Sequence, residues 1–222
     1  MPFGVCDVAS EAYYAAELRA AGLTDLRGLH ILEIGFGNGA FAGWASRAGA
    51  KYFGTEVIPE LVTKGRNAGF AVYDASRSID SSIPEASIDV AVALDVFEHL
   101  DQHDLVEMLR SIRGLLRPGG MVIARVPSGD SPFSGAIQHG DLTHQTILGS
   151  SAVRQLAGET DFNVVCIRQP AFPLRGLGPR VLIRRLLVVA ARRVVYPIVT
   201  HALMGGGKPV LTPNLVFVLT RS

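Results

Sequence analysis

The stretch Ile31–Phe41 reads ILEIGFGNGAF, and it decides the fold. A short apolar run leads into three glycines, and a small, apolar segment follows them. Gly35, Gly37 and Gly39 tolerate the positive φ of a tight turn and let a ligand approach the backbone closely. The turn opens at a helix N-terminus, whose free N–H groups suit a polar or anionic ligand. The stretch therefore predicts a strand, a ligand-binding turn and a helix in succession.

The rest of the chain alternates between strand-like and helix-like segments, which predicts an α/β fold with a mostly parallel sheet. We expect Ser10 to cap the first helix, Ser150 or Ser151 to cap the helix that ends near Glu159, and Pro197 to stop the last. The 222 residues fit one large domain, so we expect a single domain over residues 1–222. Strands are predicted at 29–34, 51–56, 70–73, 87–94, 121–126, 162–167 and 215–219, and helices at 8–21, 40–48, 60–67, 105–116, 150–159 and 180–196.

The composition indicates a globular protein, with 48% hydrophobic and 18% charged residues. The net charge of +1 gives no overall field that would attract nucleic acid. Cys6 and Cys166 are far apart and lack metal-ligand or redox spacing, which suits a reducing compartment. The N-terminus lacks the pattern of a signal peptide, and no uninterrupted run of 18 apolar residues occurs. We therefore expect no membrane-spanning helix and a cytoplasmic location.

Three acidic residues occur at or near the ends of the first three predicted strands. Glu33 lies near the end of the first strand, where it can accept a hydrogen bond from a ligand amine. Glu56 ends the next strand, 23 residues later, at a position where carboxylates bind ribose hydroxyls in nucleotide-binding folds. Asp74 follows the third strand and offers a third contact to a nucleoside. The glycine spacing GxGxG, rather than GxGxxG, weakens the case for a dinucleotide.

These features, taken in order along the chain, resemble the successive motifs of the class I S-adenosylmethionine-dependent methyltransferases. The resemblance covers about residues 28–168. Its motifs are Ile31–Phe41, Glu56, Asp74-Ala75, IDVAVALDVFEHL at Ile88–Leu100 and LLRPGGMVIARV at Leu115–Val126. The resemblance implies a Rossmann-like seven-stranded sheet in the order 3-2-1-4-5-7-6, with strand 7 antiparallel and helices on both faces.

The same resemblance implies how the cofactor, S-adenosylmethionine, is held. The three glycines would cradle its methionine part, Glu56 would bind its ribose, and Asp74 would lie beside its adenine. Phe36, Phe97 and Phe133 are candidates for lining the pocket, although simple packing is the alternative. The candidate cofactor-binding residues are Glu33, Gly35, Phe36, Gly37, Gly39, Glu56, Val57, Asp74, Ala75 and Asp95.

Acids and histidines cluster after the fourth strand and in the segment 127–149. This polar segment is long for a loop in a compact domain, which makes it a candidate lid or substrate loop. Asp95, Glu98 and His99 occur in DVFEHL, at the edge of the sheet where ligands of open α/β folds bind. His139, Asp141 and His144 lie in the long segment, in HGDLTHQT.

Two hypotheses give these side chains a catalytic role. In one, His144, or His139 as a second candidate, removes a proton from the acceptor as a general base. In the other, Asp95, Glu98, His99 and His144 hold a divalent metal that acidifies an acceptor hydroxyl. This set resembles the ExxEH-plus-distant-His pattern of small-RNA 2′-O-methyltransferases and ubiquinone-pathway O-methyltransferases, with Asp95 in place of the first Glu. Alternatively, Glu98 and His99 only cap the next helix and line the cofactor pocket.

The stretch 139–162 resembles a loop-then-helix element of small-molecule O-methyltransferases in sugar, lipid and quinone pathways. It favours oxygen as the methyl acceptor, on a small molecule or on a sugar- or lipid-linked compound. The alternatives are a nucleotide-dependent oxidoreductase on the same layered fold and a non-catalytic, cofactor-binding regulatory protein. We expect no nucleic-acid partner, and either a monomer or a homodimer.

The segment RVLIRRLLVVAARRVVY, at 180–196, is unusual for this fold. An apolar stripe at helical spacing faces four arginines on the opposite side. Such a helix can lie in a membrane interface, or it can pack on the sheet or on a second subunit. The arginines can also meet an anionic substrate, whereas the lack of interleaved aromatic residues argues against nucleic acid. The stripe consists of Ile183, Leu186, Leu187, Ala190 and Val194, and the arginines are Arg184, Arg185, Arg192 and Arg193.

Overall fold

A computed structural model describes residues 2–75, 83–174, 178–205 and 207–222. Seven strands form one sheet in the order β3-β2-β1-β4-β5-β7-β6. Strands β1 to β5 run parallel, and β7 runs antiparallel to both β5 and β6. The predicted strand order and the antiparallel strand are therefore confirmed. The strands are His30–Ile34 (β1), Lys51–Glu56 (β2), Val72–Asp74 (β3), Ile88–Leu94 (β4), Leu116–Pro127 (β5), Phe162–Arg168 (β6) and Asn214–Arg221 (β7).

Helices cover both faces of this sheet. Neighbouring residues of a strand point to opposite faces, so Leu32 packs in one core cluster and Ile31 in the other. The amphipathic helix α4 contributes Leu105 and Leu109 to the first cluster, and α2 contributes Phe41 to the second. The helices are Val8–Ala20 (α1), Ala40–Arg47 (α2), Pro59–Asn67 (α3), Gln102–Leu115 (α4), Gly135–Gln138 (α5), Ser150–Glu159 (α6) and Pro179–Leu203 (α7), with a 3-10 turn at Phe97–His99.

The parallel strands place their carboxyl ends at one edge of the sheet. The glycine turn follows β1 at this edge, Glu56 and Asp74 end β2 and β3, and Asp95 follows β4. Ligands of open α/β sheets bind in the crevice at this edge. The topology therefore brings together groups that are distant in the sequence.

Two predicted strand boundaries are wrong. The third strand begins at Val72 rather than at residue 70, because Phe70 lies in the turn after α3 and packs against Phe3 and Tyr52. The fifth strand begins at Leu116, which pairs with Ile88 of β4. The RPGG turn is a bulge within this strand, where the pairing shifts, and not the connection before it.

The predicted caps of two helices are also wrong. Asp7, not Ser10, precedes α1, and its carboxylate accepts a hydrogen bond of 2.7 Å from the Ser10 N–H. Gly149 precedes α6 and has no capping side chain. Asp130 replaces it, because its carboxylate accepts a hydrogen bond of 2.9 Å from the Ser150 N–H. A capping carboxylate that comes from 20 residues away leaves no local pattern in the sequence.

The segment 127–149 is more ordered than a free loop. It contains α5, and the hydroxyls of Ser128 and Ser131 donate hydrogen bonds of 2.8 Å to the carbonyls of Val210 and Leu211. Both serines are buried. These contacts fix the start of the segment to the chain that precedes β7.

Helix α7 is longer than predicted, because it runs through Pro197 to Leu203. Proline removes one backbone donor, and at this exposed position water can satisfy the carbonyl that loses its partner. An 18-residue window of α7 has a mean hydropathy of 1.5, and none of it is buried. By length and composition alone, α7 is able to cross a membrane. The expectation that no such helix exists rested on uninterrupted apolar runs, and it is wrong in this respect.

Candidate functional site

A cavity of about 580 Å³ opens beside the glycine turn at the carboxyl edge of the sheet. Helix α1, residues 171–173 and Arg185 of α7 form its other walls. Polar groups from β1, β5 and α1 reach into the cavity beside the aromatic rings of Phe36, Phe41 and Phe172. Polar groups placed in this way can fix the orientation of a small molecule. The lining side chains with most to offer a ligand are Ser10, Tyr13, Tyr14, Glu33, Asn38, Phe41, Arg125, Phe172 and Arg185, together with Gly35 and Phe36.

The glycine turn has the conformation that the sequence predicts. Gly35, Gly37 and Gly39 have φ values of 68°, 52° and 72°, which side chains rarely adopt. A Cβ on Gly35 would lie 2.7 Å from Val96, and one on Gly39 would lie 2.4 Å from the ring of Phe3. A Cβ on Gly37 would meet no atom within 4 Å. Two of the glycines are therefore required by packing as well as by the turn.

The carboxylate of Glu56 fixes the shape of this turn. It accepts hydrogen bonds from the N–H groups of Gly37 at 3.0 Å, Val57 at 2.8 Å and Ile58 at 3.2 Å. The carbonyl of Glu56 accepts from the Ala75 N–H at 2.9 Å, which joins the ends of β2 and β3. Glu56, Val57, Asp74 and Ala75 therefore lie together, beyond the residues that line the cavity.

Glu33 lines the cavity from the end of β1. Its carboxylate accepts a hydrogen bond of 2.6 Å from the hydroxyl of Tyr52. Burial raises the pKa of Glu33 to about 8, and the hydrogen bond from Tyr52 limits that rise. The site without a ligand therefore favours the neutral acid, and a cation in the cavity would favour the carboxylate.

Arg125 and two tyrosines form a polar wall that the sequence analysis missed. The guanidinium of Arg125 donates two hydrogen bonds to Asp95, one of them 2.8 Å from Nε to Oδ1, and lies 5.1 Å from the ring centre of Tyr13. Burial raises the pKa of Tyr14 to about 12, so it stays a neutral hydroxyl. A charged residue in the apolar run MVIARV was the available signal for Arg125.

A second group of side chains comes together beside Asp95. Potential metal-binding atoms of Glu98, His99 and His144 lie within 4.8 Å of one another. The two imidazole rings meet edge to face, with their centres 4.7 Å apart. Glu98 is only 1% exposed, and burial raises the pKa of its carboxyl to about 7. Its Oε2 atom has no hydrogen-bond partner among the described residues.

Hydrogen bonds fix the tautomers of both histidines. The Thr143 hydroxyl donates to Asp141 at 2.6 Å, so at 2.8 Å from His99 it must accept from Nδ1. His144 donates from Nδ1 to the carbonyl of Gln138 at 3.1 Å. In its neutral form, each ring then presents the lone pair of Nε2, which can bind a metal or accept a proton. One carboxylate and two imidazoles fit Zn, Mn or Fe.

The long segment is tied to this cluster by its backbone. The N–H groups of Gln145 and Thr146 donate to the carbonyl of Glu98 at 2.8 and 3.1 Å. The Thr146 hydroxyl donates to the carbonyl of Leu100 at 2.6 Å. These bonds bring His144 to Glu98 across 46 residues of chain.

Other predicted site residues lie elsewhere. The carboxylate of Asp95 binds Arg125, outside the group formed by Glu98, His99 and His144. His139 is exposed at the end of α5. Phe97 is fully buried and stacks on Phe217, and Phe133 is 51% exposed, so neither lines the cavity. Phe36 does line it.

Comparisons with known proteins agree on the family. Residues 9–167 match a family model described as a methyltransferase domain. A segment of 118 residues, 50% of the chain, is 32% identical to 44% of an uncharacterized methyltransferase from Mycobacteroides abscessus. A segment of 102 residues, 43% of the chain, is 28% identical to 42% of a ubiquinone biosynthesis O-methyltransferase from Xanthomonas euvesicatoria. The chain thus spans less than half the length of these curated relatives.

Solved structures share the fold at low sequence identity. A SAM-dependent methyltransferase from Archaeoglobus fulgidus superposes with a TM-score of 0.67 at 16% identity, covering 95% of this chain and 94% of that one. A Burkholderia thailandensis 1,6-didemethyltoxoflavin-N1-methyltransferase, solved with S-adenosylhomocysteine, has a TM-score of 0.59 at 16% identity, covering 96% and 79%. Because the family match spans well over half of the 222 residues and the strand order agrees, the chain belongs to the class I S-adenosylmethionine-dependent methyltransferases.

Proposed function

We propose that the protein transfers a methyl group from S-adenosylmethionine to a hydroxyl oxygen of a small molecule or of a sugar- or lipid-linked acceptor. The observation that carries the proposal is the convergence of the glycine turn, Glu33 and Glu56 at the edge of the sheet beside the cavity. The ubiquinone biosynthesis O-methyltransferases among the relatives support oxygen as the acceptor.

Each of these groups has a part of the cofactor to hold. The carboxylate of Glu33 can pair with the ammonium of the methionine moiety, and the glycine turn lets that moiety lie against the backbone. Glu56 can accept from the ribose hydroxyls, and Asp74-Ala75 lies on the adenine side. S-adenosylmethionine, when bound, supplies a methyl group on a sulfonium sulfur, which the acceptor oxygen attacks in line, leaving S-adenosylhomocysteine.

The chain must then align the acceptor and remove one proton. Alignment between the cavity walls can supply much of the rate, because it replaces an encounter in solution with a held geometry. The Nε2 atom of His144 is our first candidate to take the hydroxyl proton, and His139 is a second. Alternatively, Glu98, His99 and His144 hold a divalent cation, which would lower the pKa of the acceptor hydroxyl.

A binding measurement and a turnover screen test the proposal separately. Calorimetry with S-adenosylmethionine, S-adenosylhomocysteine and NAD should show binding of the first two only. A screen with radiolabelled S-adenosylmethionine over phenolic, sugar and lipid-linked hydroxyl compounds should then yield a methylated product. Binding of NAD in place of the sulfonium cofactor contradicts the proposal, and binding without transfer to any acceptor favours a regulatory protein.

Variants of the two histidines separate the proton-removal hypotheses. His144→Gln should lower kcat for the accepted substrate while leaving S-adenosylhomocysteine binding unchanged, because the imidazole acts on the acceptor. His139→Gln is the matched control, since this histidine is exposed at the end of α5. Loss of activity in His139→Gln alone would move the base to that residue. Chelation that abolishes wild-type turnover favours the metal hypothesis over the unaided base.

A further inference from the structure

Helix α7 rests on the protein along one side only. The guanidinium groups of Arg185 and Arg192 lie 4.9 and 5.1 Å from the ring centre of Phe172, and Arg185 also donates to the carbonyl of Pro173. Arg192 lies 6.0 Å from the ring centre of Tyr196 as well. None of the 25 residues of α7, all of which the structure describes, is buried.

The opposite side of α7 presents an uncovered apolar stripe. Successive helical residues advance by about 100°, which places Ile183, Leu187, Val194 and Ile198 within one narrow sector, opposite Arg185 and its neighbours. Their exposed fractions are 59, 67, 63 and 60%. We call these four residues the α7 stripe. Four large aliphatic side chains in water need a cover that the described residues do not supply.

Basic side chains border the α7 stripe. Arg184 lies on one flank and Arg193 on the other, at about 70° and about 110° from the centre of the stripe. The helix contains no Asp or Glu. A surface that covers the stripe must therefore accept aliphatic side chains in its middle and positive charges at its edges.

An anionic lipid surface meets this requirement better than the alternatives. A second copy of α7 would bring arginines against arginines without a carboxylate from either helix to neutralise them. A transmembrane orientation would place Arg192 and Arg193 at the middle of the 25 residues, the depth at which a charged side chain is most costly. A helix lying in the interface keeps Arg184 and Arg193 at the level of the phosphates and leaves Arg192 against Phe172 on the protein side. Only the stripe is then buried among the lipids.

We propose that α7 lies along an anionic membrane surface, with the α7 stripe inserted at the boundary between headgroups and acyl chains. The protein is then peripheral to the membrane. Arg185 and Phe172 also line the cavity, so the same contact brings the cavity to the lipid surface. Given the proposed methyl transfer, on which this last step rests, the acceptor class is an amphiphile that resides in the bilayer.

Co-sedimentation of the full chain with vesicles tests the membrane contact without any assay of turnover. The protein should bind vesicles of phosphatidylcholine mixed with phosphatidylglycerol, and binding should weaken with added salt and without the anionic lipid. The double variant Leu187→Asp/Val194→Asp should bind these vesicles at least about tenfold more weakly. Val165→Asp, an equally exposed aliphatic residue on β6, is the matched control and should bind like the wild type.

Calorimetry with S-adenosylhomocysteine shows whether each variant is folded. It also distinguishes failure of the methyltransferase proposal from failure of the membrane contact. A protein that binds S-adenosylhomocysteine but not the anionic vesicles overturns the membrane contact alone. As a second readout, the fluorescence of Leu187→Trp should shift to the blue with anionic vesicles, whereas that of Val165→Trp should not. A homodimer in sedimentation that Leu187→Asp/Val194→Asp dissociates, or membrane association that resists alkaline carbonate, would also overturn it, in favour of a second copy or a spanning helix.

Discussion

At the scale of single residues, the position of Glu33 in the cavity and its raised pKa predict that cofactor binding depends on the protonation of this side chain. Burial raises its pKa to about 8, which favours the neutral acid, and an ammonium group bound beside it would favour loss of this proton. Because the proposed pairing with the ligand ammonium needs the carboxylate, affinity should rise as the pH increases towards this pKa. We expect S-adenosylhomocysteine to bind up to about tenfold more tightly at pH 7 than at pH 6, with release of a proton.

Calorimetry in buffers of different ionisation enthalpy measures that proton directly. Glu33→Gln should bind more weakly and lose the pH dependence, because an amide cannot titrate. Glu60→Gln, an exposed acid in the first turn of α3, should retain both. An unchanged pH dependence in Glu33→Gln would show that another group carries the proton.

The contacts of Glu98, His99 and His144 also indicate which residues would act as metal ligands. The metal hypothesis predicts that Zn²⁺ or Mn²⁺ binds with one equivalent per chain, since Glu98, His99 and His144 meet and Glu98 Oε2 lacks a partner among the described residues. His144→Ala should weaken binding by about 100-fold or more, since removing even an outer partner costs 10–100-fold. Equilibrium dialysis with metal analysis measures both.

Asp95→Asn and His139→Ala test whether residues that the structure places outside the cluster contribute to metal binding. The sequence pattern included Asp95 in the ligand set, but its carboxylate binds Arg125. We therefore expect Asp95→Asn to retain the metal affinity within a few-fold, as should His139→Ala. A loss in Asp95→Asn as large as in His144→Ala would restore Asp95 as a ligand.

At the scale of secondary-structure elements, the glycine turn makes unequal demands on its three glycines. Gly39→Ala must place a Cβ against Phe3 at a positive φ, whereas Gly37→Ala faces open space and carries the backbone strain alone. We expect a loss of about 1–2 kcal/mol in the free energy of unfolding for Gly37→Ala, and a larger loss for Gly39→Ala. Urea denaturation measures both.

Gly158→Ala is the control for this comparison, because Gly158 lies within α6 at a negative φ and a Cβ there meets nothing within 4 Å. This substitution should stabilise the protein by about 0.5–1 kcal/mol, since alanine is the better helix former. Equal effects at Gly37 and Gly39 would mean that Phe3 moves aside and that packing does not select glycine at 39.

The elements that the sequence predicted well are those with strong local signals. The apolar run of β4 and the glycines after β1 can be recognised without knowledge of the rest of the molecule. The errors depend on distant contacts or on solvent. Asp130 caps α6 from 20 residues away, and Pro197 continues a helix because its surroundings are water. Propensity rules describe neither case.

At the scale of the whole molecule, the cavity wall is where sequence reasoning reached least far. The strand-end acids were predictable because parallel strands share one carboxyl edge. Tyr13, Arg125 and Phe172 come from α1, β5 and the segment before α7, and only tertiary packing brings them together. The cofactor side of the site was therefore predictable, and the opposite side was not.

Hydrogen exchange can measure which walls of the cavity a bound ligand contacts. Because α1 and the segment 171–173 wall the same cavity as the glycine turn, a ligand that fills it must contact elements far apart in sequence. S-adenosylhomocysteine at 100 times its Kd should add about 2.7 kcal/mol to the free energy of unfolding. The amides of α1 and of the glycine turn open locally more readily than those of the core strands. Because a ligand in the cavity contacts these two elements, we expect their local exchange to slow when it binds.

Helix α6 provides the internal control, because its side chains line no part of this cavity. Amides of α6 that exchange through local opening should do so at the same rate with and without S-adenosylhomocysteine. Protection confined to the glycine turn, with α1 unchanged, would mean that the ligand occupies the turn without reaching Tyr13 and Tyr14. In that case α1 would contact the acceptor but not the cofactor. Exchange in α1 would then slow only when the cofactor and an acceptor are bound together.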